Sequence, residues 1–564
     1  MATFASLAFY GLAVLLSQSV PALGGRALRG RFGLPWSSAE VEVERRRLLE
    51  LAGQFTKSDG SSRLAVMEKA MATTFEALPK DEHGTLSHDV VRYALHRLFV
   101  HKHSWYVRGL DVGSDRAVGS RASVPQKGDF DLNSVPVLPT LLQNSIEHQH
   151  ESFGLNLKEI AALAASIEDL AHQEAIFHLG QAFAANNVTT DSRLSAATVN
   201  KIVDTYFTIY VLGHNFADWS NSTIVRRRDN LVHTNRWQVV GGWLRKFQDN
   251  VTRRLHADGE VGGQSYTDVV QIVESVGDHF GAFNDIECKA MKRDLLAIEG
   301  RKPGRVRLSD FYNRSKSGVW YFAEKIDYLR TLGALDETNA SNPLVIVPNY
   351  VTSPPQCLRA SSVYDVCCPN ECEALMLELE GAVGAPDASP KQLTRLVAGL
   401  SSDTEKPREE LPLPLQERLH SVAVDHGGRV PLHSRQFALW MHHAFPRECP
   451  FPHQEGTTSP LTPDEWMQST GQTTHVATDD EMDQHIRPEG TCTSPDEQAQ
   501  AEELPWLDFR STVVTSPRDL GDANQSLGLG LLKLVVPCVA FLVASAARFR
   551  QSFTTSKDRE RLVF

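Results

Sequence analysis

The chain has 564 residues, room for two to four ordinary domains, and its 41% hydrophobic and 22% charged residues describe a folded protein rather than a disordered or fibrous one. A formal net charge of -12 excludes a general nucleic-acid binder, which needs a basic surface to displace counterions from phosphates.

An apolar run from Phe4 to Leu16, polar Ser17 to Ser19 and the small-residue ending Val20-Pro21-Ala22 read as a signal peptide over residues 1–22. Residues 26–110 form helical unit 1, with amphipathic helices at Glu40 to Leu51 and Leu64 to Leu78 and a third from Asp89. Histidines gather at His83, His88, His96, His101 and His103. On a helix His96 and His103 lie near one face, a conceivable metal site. With no H-E-x-x-H and no carboxylate at ligand spacing, a surface or capping role is the expectation. His88-Asp89 matches the metal-binding dipeptide of HD phosphohydrolases without their wider motif.

A Pro- and Gly-rich loop from Asp111 to Pro139 precedes helical unit 2, residues 140–350. Its clearest helix is Leu157 to Ala185, with Ile160, Leu163, Ile167, Leu170 and Ala171 on one stripe. On that helix Glu168 with His172 and Glu174 with His178 stand four apart, spacing that serves either metal ligation or helix support. A di-iron bundle needs matching Glu and Glu-x-x-His sets on other helices, and without them helix support is the reading. Further helices are predicted at Ala197 to Leu212, Gly241 to Leu255, Tyr266 to Val276 and Cys288 to Ile298, and a short proline-bounded strand at residues 343–351.

Four of the eight cysteines, Cys357, Cys367, Cys368 and Cys372, fall within sixteen residues of a Cys-rich module at 351–383. They lack the paired C-x-x-C spacing of a zinc site, and a secretory lumen favours two local disulfides there, unassigned. Cys288, Cys449 and Cys492 remain, and the odd number outside the apolar C-terminal run leaves at least one thiol free or intermolecular. Residues 384–390 and 401–414 read as tethers flanking a short helix. Residues 408–455 form helix-loop-helix unit 3 with a second histidine group: His426, His433, His442, His443 and His453. Residues 456–526 read as an acidic disordered stalk, with nine Asp or Glu and one Arg between Asp479 and Glu503.

Leu527 to Ala547 carries one charge, Lys533, in 21 residues, enough for one transmembrane helix. Lys533 can snorkel toward the head groups, and Pro537 is tolerated. The basic tail 548–564, with Arg548, Arg550, Lys557, Arg559 and Arg561, places the C-terminus in the cytoplasm. A GPI anchor is disfavoured because polar residues follow the apolar run. Sequons at Asn187, Asn221, Asn250, Asn313 and Asn339 are the glycosylation candidates; a sixth, Asn524, lies against the span.

Three segments share a layout: Gly84-Thr-Leu-Ser, Gly304-Arg-Val-Arg and Gly428-Arg-Val-Pro each follow a helix, place an apolar residue two after glycine, and enter another helix. They resemble EF-hand loops, in which the sixth residue turns and the eighth pairs in a tiny strand. Ligand positions fail. Aligned on Gly304 the loop offers Glu299 and Asp310 but Arg301, Pro303 and Arg305 between; the Gly84 loop has Pro79, Asp81, His83 and Val90, and the Gly428 loop Ala423, Asp425, Gly427 and Ser434. Calcium needs six or more oxygens, so degenerate scaffold units are expected.

The stretches LVIVPNYV, SSVYDVCCPNECEALM and FALWMHHAFPRECPFPHQEGTTSPLTPDEWM resemble a recurrent family of secreted or single-pass membrane proteins from dinoflagellate-type algae, over about residues 280–467. The resemblance implies an ectodomain module with Cys367, Cys368, Cys372 and Cys449 as framework positions, and no activity. The reading is a mainly α fold of EF-hand-like, degenerate helix-loop-helix units with a disulfide-containing module, acidic stalk and one transmembrane helix. Its function is a single-pass type I glycoprotein, at the cell surface or in a secretory endomembrane, serving as an interaction scaffold for a protein or glycan partner. No cofactor and no catalytic residue is assigned. A lumenal metal-dependent enzyme using a histidine cluster, or a calcium-responsive module, is the alternative.

Overall fold

Hydroxyl and amide side chains cap many of the helix starts among the described residues. Asn156 accepts from the Glu159 N–H while Glu159 reaches back to the Asn156 N–H, and Ser265 with Asp268, Thr462 with Glu465 and Thr478 with Glu481 close the same reciprocal box. Ser62, Ser220, Ser389 and Ser434 cap with one bond each. The computed structural model describes residues 62–110, 154–212, 219–234, 236–256, 263–317, 320–454 and 457–486, with a few positions between 46 and 53. Over these residues the chain is mainly helical, as the sequence predicts.

The N-terminal elements are α1 (Arg63–Ala77), α2 (His88–His103), β1 (Trp105–Val107), α3 (Leu157–Ala185), α4 (Ala196–Leu212), α5 (Asn221–Val232), α6 (Trp237–Leu255) and α7 (Tyr266–Leu296). The predicted helices 64–78, 157–185 and 197–212 fall within a residue of α1, α3 and α4. Two predicted helices, 266–276 and 288–298, are one 31-residue helix, α7. The apolar stripe breaks at its middle because that stretch faces a polar cluster, and Gly281 sits there because a Cβ would lie 2.2 Å from the His103 carbonyl oxygen.

Next come β2 (Arg305–Arg307), α8 (Leu308–Ser317), α9 (Ile326–Thr331), β3 (Leu335–Asp336), β4 (Leu344–Ile346), α10 (Val347–Val351) and β5 (Tyr364–Val366). The predicted strand 343–351 is strand only to Ile346; Pro348 then starts a helix, where its missing N–H costs nothing. The chain ends its described part with α11 (Glu371–Val383), β6 (Asp387–Ala388), α12 (Pro390–Gly399), α13 (Leu413–Asp425), β7 (Val430–Pro431), α14 (Arg435–Ala444), α15 (Pro463–Thr470) and α16 (Asp479–Asp483).

Strands are short and antiparallel, pairing β1 with β5, β4 with both β2 and β3, and β6 with β7. Single bridges join Leu86 to Leu155, Leu194 to Gln264 and Glu324 to Val476. These pairings link loops that immediately precede helices. Gly304, at φ +72°, shows why glycine is needed in one of them: a Cβ would lie 1.9 Å from the Pro446 carbonyl oxygen.

The apolar interior forms three clusters, built on α1 to α7, on α7 to α10 with α15 and α16, and on α11 to α14. Residues 351–383 contribute to all three, through Tyr364 and Val366, Cys368, and Leu375 and Leu379 respectively. The segments 384–390 and 401–414, expected as tethers, are packed: Ala388 and Leu411 are buried, and Ser402 and Thr404 donate to Glu448. The disordered stalk expected from residue 456 is corrected for 457–486. Leu461, Trp466, Ala477 and Met482 are buried, so apolar residues too sparse to show a periodicity still anchor two short helices.

Among the described residues no helix is long and apolar enough to cross a membrane. The predicted signal peptide 1–22, the span 527–547 and the tail 548–564 lie outside the described residues.

Candidate functional site

The cysteines form three cystines: Cys357–Cys367, Cys288–Cys368 and Cys372–Cys449. The expectation of two local bridges is corrected, since only Cys357–Cys367 is local; the neighbours Cys367 and Cys368 face opposite ways along the extended chain after β5 and take different partners. Cys492 and Cys538 lie outside the described residues. The sequon residues Asn187, Asn221, Asn250, Asn313 and Asn339 are all exposed.

The second histidine group disperses. His433 bonds Glu380, His453 bonds the Gly333 carbonyl and His426 the Val422 carbonyl. His442 is buried between the Cys449 carbonyl and the Arg305 guanidinium, and burial with that charge pushes its pKa down to about 3. Around the fully buried Glu380, burial raises the carboxyl's pKa, but bonds from His433 and Arg97 outweigh it and hold it below the usual range.

In the first group His96 and His103 part company: His96 meets Tyr106 edge-on at 5.3 Å, while His103 stacks on Trp105 at 4.3 Å. Ser104, in the left-handed region at φ 57°, turns the chain from α2 into β1 so that Trp105 folds back over the His103 ring. Trp105 itself is buried, stacked on Tyr364 and edge-on to His172. Close approach of α7 at Gly281 then brings Asp278 to His103, and α3 supplies Glu168.

A charge network fills the space between α1, α2, α3 and α7. His103 Nε2 is 3.2 Å from Glu168 Oε1, and its Nδ1 is 3.0 Å from the Asp278 carbonyl oxygen. Lys102 Nζ lies 2.6 Å from the same Glu168 oxygen. His172 Nε2 is 2.9 Å from Asp278 Oδ1, with the Arg63 guanidinium on its Nδ1. Arg63 stands 3.5–3.6 Å from Glu168, Asp169 and Glu274. Burial raises the Asp169 pKa against the pull of Arg63. Ligand atoms of His103, Glu168 and Asp278 lie within 4.8 Å of one another, a set that could hold a metal ion.

Lys102, His103 and Asp278 also line an open cleft of about 760 Å³ between α2, α7, the start of α11 and residues 401–403. The network is therefore buried on one side and reachable on the other.

Sequence reasoning paired Glu168 with His172 on one helix but set no carboxylate beside His103. The carboxylates come from other helices, and Arg63, Lys102, Glu274 and Asp278 were missed. The available signal was on α7: Glu274, Asp278 and Gly281 repeat at helical spacing along one stripe, so polar and small residues occupy an inward face. Glu174 accepts instead from Ser361 and the Ser362 N–H. No protein-family model, no curated protein and no solved structure matches the chain.

Proposed function

We propose that the chain is a secretory-pathway glycoprotein held by one membrane span, whose outward part is a rigid interaction scaffold of paired, degenerate EF-hand-like units. The observation that carries this is the offset between bridge and helix. Leu86, Leu155, Leu194, Gln264, Val306, Glu324, Val345 and Ala388 each pair across a loop two residues before a helix begins; Val476 and Val430 do so three and five residues before. Paired EF-hand loops share that layout, with the eighth residue bridging just ahead of the exiting helix.

Calcium is replaced by internal bonds. Glu299, the first loop position before Gly304, accepts the Gly304 N–H, and the Arg447 guanidinium lies on the same carboxylate at 2.6–3.1 Å. Asp81 accepts the His83 and Thr85 N–H groups. Loops stabilised this way hold helix pairs without metal, which suits a scaffold and not a calcium sensor. Three cystines and five exposed sequons support an oxidising, glycosylating compartment.

The test expresses the full chain with a C-terminal tag and assays endoglycosidase sensitivity, carbonate extraction and protease access to the tag on sealed membranes. A glycosylated, carbonate-resistant chain with a cytosolic tag supports the reading; an unglycosylated or soluble chain overturns it. Millimolar calcium should leave the melting temperature unchanged, and a calcium-dependent rise of several degrees would overturn the scaffold assignment in favour of a sensor.

A further inference from the structure

We propose that His103, Glu168 and Asp278 form a binding site for a divalent first-row transition metal of the zinc class, opening on the cleft. The argument begins with a tautomer. His103 Nδ1 lies 3.0 Å from the Asp278 carbonyl oxygen, which can only accept, so Nδ1 carries hydrogen. In a neutral ring the other nitrogen then turns its lone pair toward Glu168 Oε1 at 3.2 Å, acceptor against acceptor. A positive centre belongs between them, either a proton on the ring or a metal ion.

The His103–Glu168 pair has the spacing of two ligands, and the Asp278 carboxylate, 3.9 Å from His103 Nδ1, has to swing toward Nε2 to complete the set. With bonds of about 2.1 Å to nitrogen and oxygen, a separation of 3.2 Å gives an N–metal–O angle of about 100°, close to tetrahedral. An imidazole held by Nδ1–H on a backbone carbonyl is the usual outer support of a ligating histidine. Asp278 has its own support, since Arg63 donates to His172 Nδ1, so His172 Nε2–H donates to Asp278 Oδ1 at 2.9 Å.

The setting suits a cation, since the carboxylates of Glu168, Asp169, Glu274 and Asp278 gather around Arg63, His103 and His172. Along the cleft Asp285 and Asp403 pair with Lys289, Glu371 with Lys292 and Glu373 with Arg97. One nitrogen and two carboxylate ligands select a borderline metal over calcium or magnesium, which take oxygens. Three protein ligands beside an open cleft leave a fourth position for water, the pattern of reactive rather than structural zinc. Lys102 competes for Glu168 and, lying in the cleft, is the side chain an arriving ion displaces.

The experiment titrates the purified full-length chain with Zn²⁺ and with Co²⁺ in buffered free-metal series. Expected are one equivalent bound at micromolar or lower free metal and a Co²⁺ visible spectrum of four- or five-coordinate intensity. His103→Ala and Glu168→Gln should each weaken binding at least about 100-fold, His172→Gln about 10- to 100-fold, while Lys102→Met tightens it and the cleft control His101→Ala leaves it unchanged. Circular dichroism checks that each variant is folded. X-ray absorption of the zinc-loaded wild type needs no variant and should return one imidazole with oxygen ligands. No stoichiometric binding, a spectrum that survives His103→Ala in a folded chain, or an absorption edge showing sulfur or several imidazoles would overturn the site and leave an imidazolium bridge in its place.

Discussion

Glu324 is a buried carboxyl that accepts from the Tyr350 hydroxyl, and burial pushes its pKa up to about 7 from an ordinary 4.5. Because the folded-state pKa is raised, the stabilising contribution is full below about pH 4.5, where both states hold the proton, and is lost as pH rises through 7. The gap between 4.5 and about 7 corresponds to roughly 3–4 kcal/mol. The bridge Glu324–Val476 reports it locally, since the Lys325 N–H donates to the His475 carbonyl at 2.9 Å and the Ala477 N–H to the Ala323 carbonyl at 2.7 Å. Hydrogen exchange at those two amides, corrected for intrinsic rates, should lose ~100-fold protection between pH 4.5 and 8 in the wild type. In Glu324→Gln the pH dependence should vanish. Equal pH dependence in both chains would show that the carboxyl stays ionised, through solvent entry the buried geometry does not include, and would refute the reasoning.

The opposite sign is expected at His442, whose folded pKa of about 3 lies below the ordinary value: its contribution is present above about pH 6.5 and lost as pH falls toward 3. Its imidazole carbon resonances should not titrate between pH 5 and 8. Glu380→Gln should destabilise the chain by about 1.5–3 kcal/mol, because Arg97 keeps Glu373 but loses its charged bond to Glu380; the wild-type carboxylate's contribution is present above about pH 4.5 and fades as pH falls through its lowered pKa, so acid denaturation should narrow the gap between the two. Replacing Cys372 and Cys449 by serine opens a 77-residue separation and should lower stability by about 4 kcal/mol in denaturant unfolding.

Periodicity made several helices legible. Leu157–Ala185 coincides with its prediction because its apolar stripe is clear, and the structure adds a capping box of Asn156 and Glu159 at its start. Where the reading failed, tertiary contacts had replaced the local signal. The middle of α7 looks like a break because Asp278 and Gly281 face α2 and the charge network rather than an apolar core. The loops at Gly84, Gly304 and Gly428 carry glycine and an apolar residue two later that bridges, yet the loops at Leu194, Gln264 and Ala388 bridge without that pair of cues. Cystine partners were not legible at all, since pairing across 77 or 80 residues depends on how α7 and α14 pack.

Two of the three cystines brace the wall of the charge network. Cys367 and Cys368 follow directly on β5, which pairs Val366 with Trp105, and the Cys367 N–H donates to the Ser104 carbonyl. One cystine ties this strand end to Cys357, the other ties it to α7 ten residues beyond Asp278. Trp105, stacked on His103, is thereby trapped between two fixed elements. A ligand set drawn from α2, α3 and α7 has no local sequence restraint to hold it, and the cystines supply one from outside. Reduction should then loosen the His103 ring before it unfolds the helices, because the helices keep their capping boxes and apolar stripes while β5 loses its covalent ties.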